Sequence, residues 1–377
     1  MRIFNSVFIV LFIAMLSLPL IFVDLSSDRV SVKENRMLAE RPKLVDMKNH
    51  PVRFIRKFDA WFKDSTGFRE QLVGLYRAIN TNEWLNNQYA EGHLVFLIGE
   101  EGHHFVVRPG QLKKYQGKQQ VLSNDQLQNM AGKLEEVNKY LDSKGIPLIL
   151  MLCADKETIY SEYYPKSIKR GPFQLDMITD YLQEHTSVDV FNIKQALLAE
   201  KSRFLLFPLV DHISSSVDYA HYNQIGAFFA YRELMKHINI HFPEMTPYKL
   251  NDIEINYDEM GTPFVSLLAE IVHNKLKTTF FDDNTYLDHI PPEFEAFENN
   301  DQELPIILLI GDSYAGYQYI RKYIAQHFGK TIYIRWTGLN HLEVYINQYK
   351  PDIVVFESAE RELGKFANSV IGIPKLP

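Results

Sequence analysis

The sequence has little cysteine and no excess of basic residues. Cys153 is the one cysteine in 377 residues, which excludes an internal disulfide and leaves the fold dependent on its hydrophobic core. The chain has 47 acidic and 40 basic residues, so its net charge is -7. Nucleic acids select basic surfaces, and no nucleic-acid partner is therefore expected. Apolar residues make up 46% of the chain, as in ordinary globular proteins.

The N-terminus carries a long run without charge, Phe4 to Val23. Twenty helical residues span about 30 Å, the thickness of a bilayer's hydrocarbon core. We predict a transmembrane anchor within residues 1–25, with a cleaved signal peptide as the alternative. Arg2 precedes the run and Asp24 follows it, which indicates a cytoplasmic tail and an exported chain. The expected location is the cell (inner) membrane, single-pass, with a periplasmic catalytic domain.

The rest of the chain divides into two predicted regions. Residues 26–90 are polar with helical spacing of aromatic residues, which predicts a helical stalk or cover. Residues 91–377 alternate helices with short apolar strands, a pattern typical of an α/β fold with a mainly parallel sheet. Residues 250–302 fit this alternation poorly and are predicted to be an exposed insertion. The predicted sheet strands are "IPLILMLC", "VDVFNI", "PIILLIG", "TIYIRW" and "PDIVVFES".

Ser313 and His221 are the residues best placed for nucleophilic chemistry. Ser313 follows "PIILLIG", at the carboxyl end of a predicted strand, where α/β folds collect functional residues. His221 precedes Asn223, a predicted helix N-cap, and Asp218 lies three residues earlier. An aspartate can orient a histidine that takes the proton of a serine. The alternative is that "GDS" is only a turn and that Asp218 and His221 lie in a surface turn.

Several stretches together resemble a known family. "GDSYAG", "DYAHYNQIGAFFAY" and "YKPDIVVFESAEREL" look like the SGNH-hydrolase-like family of alginate O-acetyltransferases, AlgJ and AlgX. Four further stretches follow the family's order, so the resemblance runs over residues 34–363; they are "ENRMLAERPKL", "FDAWFKDSTGFREQL", "FLIGEEGHHFV" and "LMLCADKETIYSEYYPKS". The resemblance implies a three-layer α/β/α sandwich. It also implies that Ser313 is the nucleophile, His221 the base and Asp218 the acid that orients His221.

The sequence departs from the family pattern before His221. "DYAH" has one residue more than the family's Asp-x-His, and Asp211 in "LVDH" is the alternative acid. A tetrahedral intermediate needs hydrogen-bond donors for its oxyanion. The backbone N–H groups of Ser313 and Tyr314 are candidates, helped by a helix dipole. Further candidates for the oxyanion site or pocket are Tyr317, Tyr319, Asn340 and Lys156.

Other charged residues are expected to have structural roles. Glu360 and Arg361 are expected to form an ion pair with each other, and His103 and His104 are expected on the surface. No metal site and no cofactor is predicted, because adjacent histidines alone make a poor metal site.

The function implied by the resemblance is O-acetylation of an exported cell-surface polysaccharide through an acetyl-serine intermediate, as in exopolysaccharide biosynthesis. The expected partners are the polysaccharide acceptor and a membrane-bound O-acyltransferase that supplies acetyl groups. A carbohydrate acetylesterase is one alternative. A catalytically inert exported protein for polysaccharide binding or assembly is another.

Overall fold

A computed structural model describes most of the chain after residue 95 and scattered residues before it. The described residues are 17, 21–23, 30–31, 36–37, 39, 41–43, 45, 47, 51–68, 95–101, 103–107, 111–166, 168–208, 220–257, 263–267, 277–280, 294–299, 301, 303–316 and 320–377. The chain divides into two compact units. One consists of Met1–Ala90 with His212–Val217, and the other of Glu91–Asp211 with Asp218–Pro377.

The smaller unit contains helix α1, Pro51–Ser65, and the short antiparallel pair β1, Val30–Ser31, and β2, Arg36–Met37. Helix α1 lies in the stretch where aromatic residues recur at helical spacing. Trp61 on α1 is buried. No helix in the described parts of the chain is long and apolar enough to cross a bilayer. The predicted anchor lies outside the described residues, apart from residues 17 and 21–23.

The larger unit alternates strands and helices. The strands are β3 Val95–Ile98, β4 His104–Val107, β5 Leu148–Cys153, β6 Asp189–Asn192, β7 Ile253–Tyr257, β8 Pro263–Leu267, β9 Lys277–Phe280, β10 Phe294–Glu298, β11 Ile306–Gly311, β12 Lys330–Arg335 and β13 Ile353–Ala359. The helices are α2 Gln111–Tyr115, α3 Asn124–Asp142, α4 Lys156–Ile159, α5 Gln174–His185, α6 Lys194–Glu200, α7 Gln224–His241, α8 Ser313–Gly316, α9 Ile320–Ile324, α10 Leu342–Tyr349 and α11 Leu363–Ile371. Short 3-10 turns cover Ser161–Tyr163, Leu250–Asp252, Trp336–His341 and Glu360–Glu362.

Seven strands form one mixed sheet in the order β6-β5-β13-β11-β12-β10-β9. The first five are parallel to one another, and β10 and β9 extend the sheet in the antiparallel sense. The prediction of an α/β fold with a mainly parallel sheet is therefore confirmed. The five parallel strands are also the five apolar runs that predicted it.

The prediction of an exposed insertion is wrong for part of residues 250–302, because strands β9 and β10 belong to the sheet. Strand β10 pairs with β12 over five residues, and β9 pairs with β10. Strands β7 and β8 form a separate antiparallel pair. The acidic composition of the segment hid these strands.

Helices cover the sheet in two groups. Helix α3 packs on α11, α5 and β5, while α7 packs on α6, α9 and β5. Strands β5 and β13 are buried along their whole length, so both of their faces lie in the core. Since β5, β13 and β11 are parallel neighbours, the residues that follow them meet at one edge of the sheet.

Candidate active site

Ser313 lies at the carboxyl edge of the sheet, two residues after the end of β11, and is half-buried. Two carboxyl groups shape the turn formed by residues 312–315, here called the serine turn. Asp312 accepts hydrogen bonds from the N–H of Tyr314 at 2.8 Å and from the N–H of Ala359 at 2.8 Å. These bonds tie the serine turn to the end of the neighbouring strand β13.

Glu357 on the neighbouring strand β13 also holds the serine turn. This residue was not identified from the sequence. It is fully buried on β13, and its Oε2 accepts hydrogen bonds from the N–H groups of Asp312 at 2.9 Å and Ala315 at 3.2 Å. Burial, with a contribution from Asp312, raises the pKa of Glu357 well above its ordinary value. Gly311 is required here, because a Cβ at this position would lie 2.5 Å from Oε2 of Glu357.

His221 is positioned by the start of helix α7. The side chain of Asn223 caps this helix by accepting a hydrogen bond from the N–H of Gly226 at 3.0 Å, as the sequence predicted. The same side chain donates to the carbonyl of Leu205 at 2.6 Å. The cap therefore fixes the chain that carries His221 immediately before the helix.

Two tyrosine hydroxyls connect the histidine segment to the serine turn. Tyr314 donates to the carbonyl of Ala220 at 2.7 Å, and Tyr222 donates to the carbonyl of Tyr314 at 2.9 Å. With both flanks of His221 held in this way, its Nε2 lies 2.6 Å from Oγ of Ser313. The structure thus brings together the two residues predicted to be base and nucleophile, and the pair has the geometry for proton transfer.

The two candidate acids and two of the candidate tyrosines lie outside the described residues. Asp218 and Asp211 lie in 209–219, and Tyr317 and Tyr319 in 317–319; both segments are outside the described residues. The choice between Asp218 and Asp211 therefore stays a prediction.

The other candidates for the oxyanion site occupy different environments. The N–H of Tyr314 is already bonded to Asp312, and its side chain is fully buried. Asn340 is exposed and donates to His341 at 3.2 Å. Lys156 is buried and donates to the carbonyl of Pro208 at 2.6 Å. Burial lowers the pKa of Lys156 to about 7. Helix α8 has only four residues, so it adds little dipole at Ser313.

Arg361 lies beside the Ser313–His221 pair, and the expected Glu360–Arg361 ion pair was wrong. The Arg361 side chain is 5% exposed, and its Nη1 pairs with Asp155 at 2.6 Å. Its Nη2 lies 3.3 Å from Nε2 of His221. Glu360 instead accepts hydrogen bonds from the Thr158 hydroxyl at 2.6 Å and the Asp155 N–H at 3.2 Å. The available sequence signal was position, since Asp155 and Arg361 each follow the carboxyl end of a buried strand.

Carboxyl groups surround this arginine. Burial raises the pKa of Asp155, while Arg361 opposes that rise. Burial and the nearby Asp155 raise the pKa of Glu157 to about 8. Arg170 contacts the same region, because it donates to the carbonyl of Glu157 at 3.1 Å and to the hydroxyl of Thr158 at 3.0 Å.

His103 is not on the surface. It is 5% exposed, and its ring stacks on Tyr163 with 4.2 Å between the ring centroids. Burial, followed by the charge of Lys156, lowers the pKa of His103 to about 4.

A mainly parallel α/β sheet with a serine and a histidine at its carboxyl edge is the architecture of hydrolase-like acyl-transfer enzymes. The family described as "SGNH hydrolase-like domain, acetyltransferase AlgX" matches residues 113–338, more than half of the sequence. The chain belongs to this family. The SGNH-type acetyltransferase class inferred from the resemblance is thereby confirmed.

Two solved structures share the fold at low sequence identity. PatB1 of Bacillus cereus is 15% identical with a TM-score of 0.51, and the match covers 72% of this chain and 97% of that one. A DHHW family protein of Eubacterium siraeum is 12% identical with a TM-score of 0.52, covering 75% and 96%. A weaker structural match is the O-acetyltransferase domain of Pseudomonas putida AlgJ, which is 14% identical with a TM-score of 0.45, covering 74% of this chain and 99% of that one. No curated protein sequence gives a match.

Proposed function

We propose that this protein transfers acetyl groups to hydroxyl groups of an exported polysaccharide through an acetyl-Ser313 intermediate. The observation that carries the proposal is the 2.6 Å contact between Nε2 of His221 and Oγ of Ser313, in a chain of an acetyltransferase family. An assembled base and nucleophile also count against the inert alternative.

Acylation begins with removal of the serine proton. Oγ of Ser313 bonds to the carbonyl carbon of an acetyl donor while its proton passes to Nε2 of His221. The carbonyl electron pair moves onto oxygen and forms the tetrahedral oxyanion. Collapse of this intermediate expels the donor's oxygen, which takes the proton from His221 and leaves acetyl-Ser313.

Transfer repeats these steps with an acceptor hydroxyl. His221 removes the hydroxyl proton as the acceptor oxygen attacks acetyl-Ser313, and then returns a proton to Oγ of Ser313. Water in place of the sugar hydroxyl gives net hydrolysis, which is the esterase outcome. Asp218, or alternatively Asp211, orients His221 in this proposal.

The cellular setting follows from the uncharged N-terminal run. An anchor within residues 1–25 holds the catalytic unit beside the membrane on the exported side. A membrane-bound O-acyltransferase there supplies the acetyl groups, and the polysaccharide receives them.

The test uses the purified full chain with an aryl acetate as the donor. We expect release of the phenol and an acetyl adduct on the peptide that contains Ser313, both lost in Ser313→Ala. Ser358→Ala is a matched control, because Ser358 is a buried serine at the end of the neighbouring strand β13.

Four outcomes separate the alternatives. Equal turnover by the wild type and Ser313→Ala contradicts the nucleophile, and absence of both turnover and adduct supports the inert alternative. With a neutral or uronic-acid oligosaccharide added, acetylated sugar in the mass spectrum supports transfer. Release of acetate without acetylated sugar, with either the neutral or the uronic-acid oligosaccharide, supports the esterase. For the acid, Asp218→Ala and Asp211→Ala are expected to differ sharply in rate.

A further inference from the structure

The serine turn offers few backbone donors for an oxyanion. The N–H groups of Asp312, Tyr314 and Ala315 all donate to carboxyl oxygens of Glu357 or Asp312. Among the described residues, the Ser313 N–H has no acceptor and is the turn donor left for substrate. One neutral donor is a weak oxyanion site, because such sites combine several aligned donors or a positive charge.

Arg361 presents the required positive charge in a fixed orientation. Its Nη1 donates to Asp155 at 2.6 Å, to the carbonyl of Ala220 at 2.9 Å and to the oxygen of Tyr314 at 3.0 Å. These contacts hold one end of the planar guanidinium and direct Nη2 towards His221. The orientation is therefore set before substrate arrives, which is the condition for electrostatic stabilisation without reorganisation.

The contact of Nη2 with His221 changes during the reaction. A guanidinium has only donors, so its 3.3 Å contact uses the lone pair of Nε2, the same lone pair that receives the serine proton. Once Nε2 is protonated it can no longer accept, and Nη2 needs another acceptor. The oxyanion is formed in that same step, on the carbon newly bonded to Oγ of Ser313.

We infer that Arg361 is a catalytic residue that donates from Nη2 to the oxyanion, together with the N–H of Ser313. Asp155 is its positioning residue, because it holds Nη1 in place. This inference rests on the proposed acetyl-serine chemistry. Arg361 lies beyond residues 113–338, so the family match does not reach it.

The central experiment compares Arg361→Met with Arg170→Met in the full chain. Arg170 is a half-buried arginine beside the same carboxyl groups, but it donates to Glu157 and Thr158 instead of His221. Acylation by an aryl acetate is followed by stopped flow. We expect the Arg361→Met rate to fall by about 100- to 1000-fold with little change in KM. Arg170→Met is expected to stay within threefold of the wild type.

Two further readouts separate a catalytic role from a structural one. Free guanidinium at millimolar concentration is expected to restore part of the activity of Arg361→Met and none of the activity of Ser313→Ala. The Kd of an aryl trifluoromethyl ketone, which forms a tetrahedral adduct with serine, is expected to rise in parallel with the loss of rate. Arg361→Lys, which keeps the charge but loses the planar fork, is the second variant if Arg361→Met does not fold.

The outcomes are distinct from those of the proposed function. A wild type without Ser313-dependent turnover overturns the acetyl-serine proposal and this inference together. Ser313-dependent turnover that folded Arg361→Met or Arg361→Lys retains within threefold overturns this inference alone. Loss of activity without guanidinium rescue and without a change in the Kd of the ketone assigns Arg361 a structural role and also overturns it.

Discussion

Glu357→Ala tests the support of the serine turn. The substitution removes the shared acceptor of two buried N–H groups, those of Asp312 and Ala315. A buried donor left without a partner costs about 1–3 kcal/mol. Two such donors predict a fall of about 2–6 kcal/mol in the free energy of unfolding, before any cost of the cavity. The turn that carries Ser313 then loses two of its hydrogen bonds, so the turnover of an aryl acetate is expected to fall as well.

Glu357→Gln is the matched control for this prediction. Its amide oxygen can accept the same two bonds, and its neutral charge matches a carboxyl whose pKa burial has raised well above the ordinary value. The expected loss is below about 1 kcal/mol. In the unfolded chain this carboxyl ionises at about pH 4.3. In the folded chain its raised pKa means that it keeps its proton to higher pH. Wild-type stability therefore loses a contribution as pH rises through that window, and Glu357→Gln does not.

Urea unfolding at several pH values between 4 and 8 measures both effects. The reasoning predicts that Glu357→Gln gains stability relative to the wild type as pH rises, while Glu357→Ala remains destabilised throughout. If glutamine is as destabilising as alanine, and its pH profile runs parallel to that of the wild type, Glu357 acts as a charged carboxylate and the reasoning is refuted.

Three further predictions concern other buried positions. Lys156 has a pKa of about 7 in the folded chain and about 10.4 in the unfolded chain, so the free energy of unfolding of the wild type should rise between pH 7 and 10. Urea unfolding of Lys156→Met should lack that rise, and a pH profile equal to that of the wild type would contradict the prediction. His103 has a folded pKa of about 4, so the wild type should lose stability as pH falls from about 6.5 to 4, and His103→Phe, measured by thermal unfolding, should lose less. Gly311→Ala places a Cβ 2.5 Å from Oε2 of Glu357 and should lower aryl-acetate turnover about 100-fold. Gly132→Ala, with open space around its Cβ, should leave turnover unchanged, and equal turnover by the two variants would refute the packing argument.

The central sheet was predictable because its parallel strands are buried on both faces. Such strands appear in sequence as continuous apolar runs, and all five runs became strands. Strand β10 was missed because its sequence, "FEAFE", is not a continuous apolar run. Glu295 is buried in it and pairs with Arg321 on α9. An acidic residue neutralised by a partner elsewhere in the fold looks like surface in the sequence.

The candidate site likewise contains residues that local sequence patterns identify and residues that only tertiary contacts identify. Ser313 and His221 were found because each sits at a boundary that sequence marks, a strand end and a helix cap. Arg361 was missed because its partners are distant in sequence. The local sequence favoured an ion pair between Arg361 and the adjacent Glu360. In the fold Arg361 instead pairs with Asp155, which is 206 residues away in sequence. Partner choice for a buried charge depends on tertiary contacts, and these have no local signature.

The carboxyl groups that hold the serine turn also determine what the site still needs. Asp312 and Glu357 occupy three of the four N–H groups of residues 312–315, which fixes the position of Ser313 but removes donors from the oxyanion. Helix α8 is too short to compensate with a dipole. In our proposal a positive side chain supplies the missing stabilisation, and it has to be held as firmly as the serine. Arg361, fixed at one end by Asp155 and directed at His221 by the other, meets both conditions.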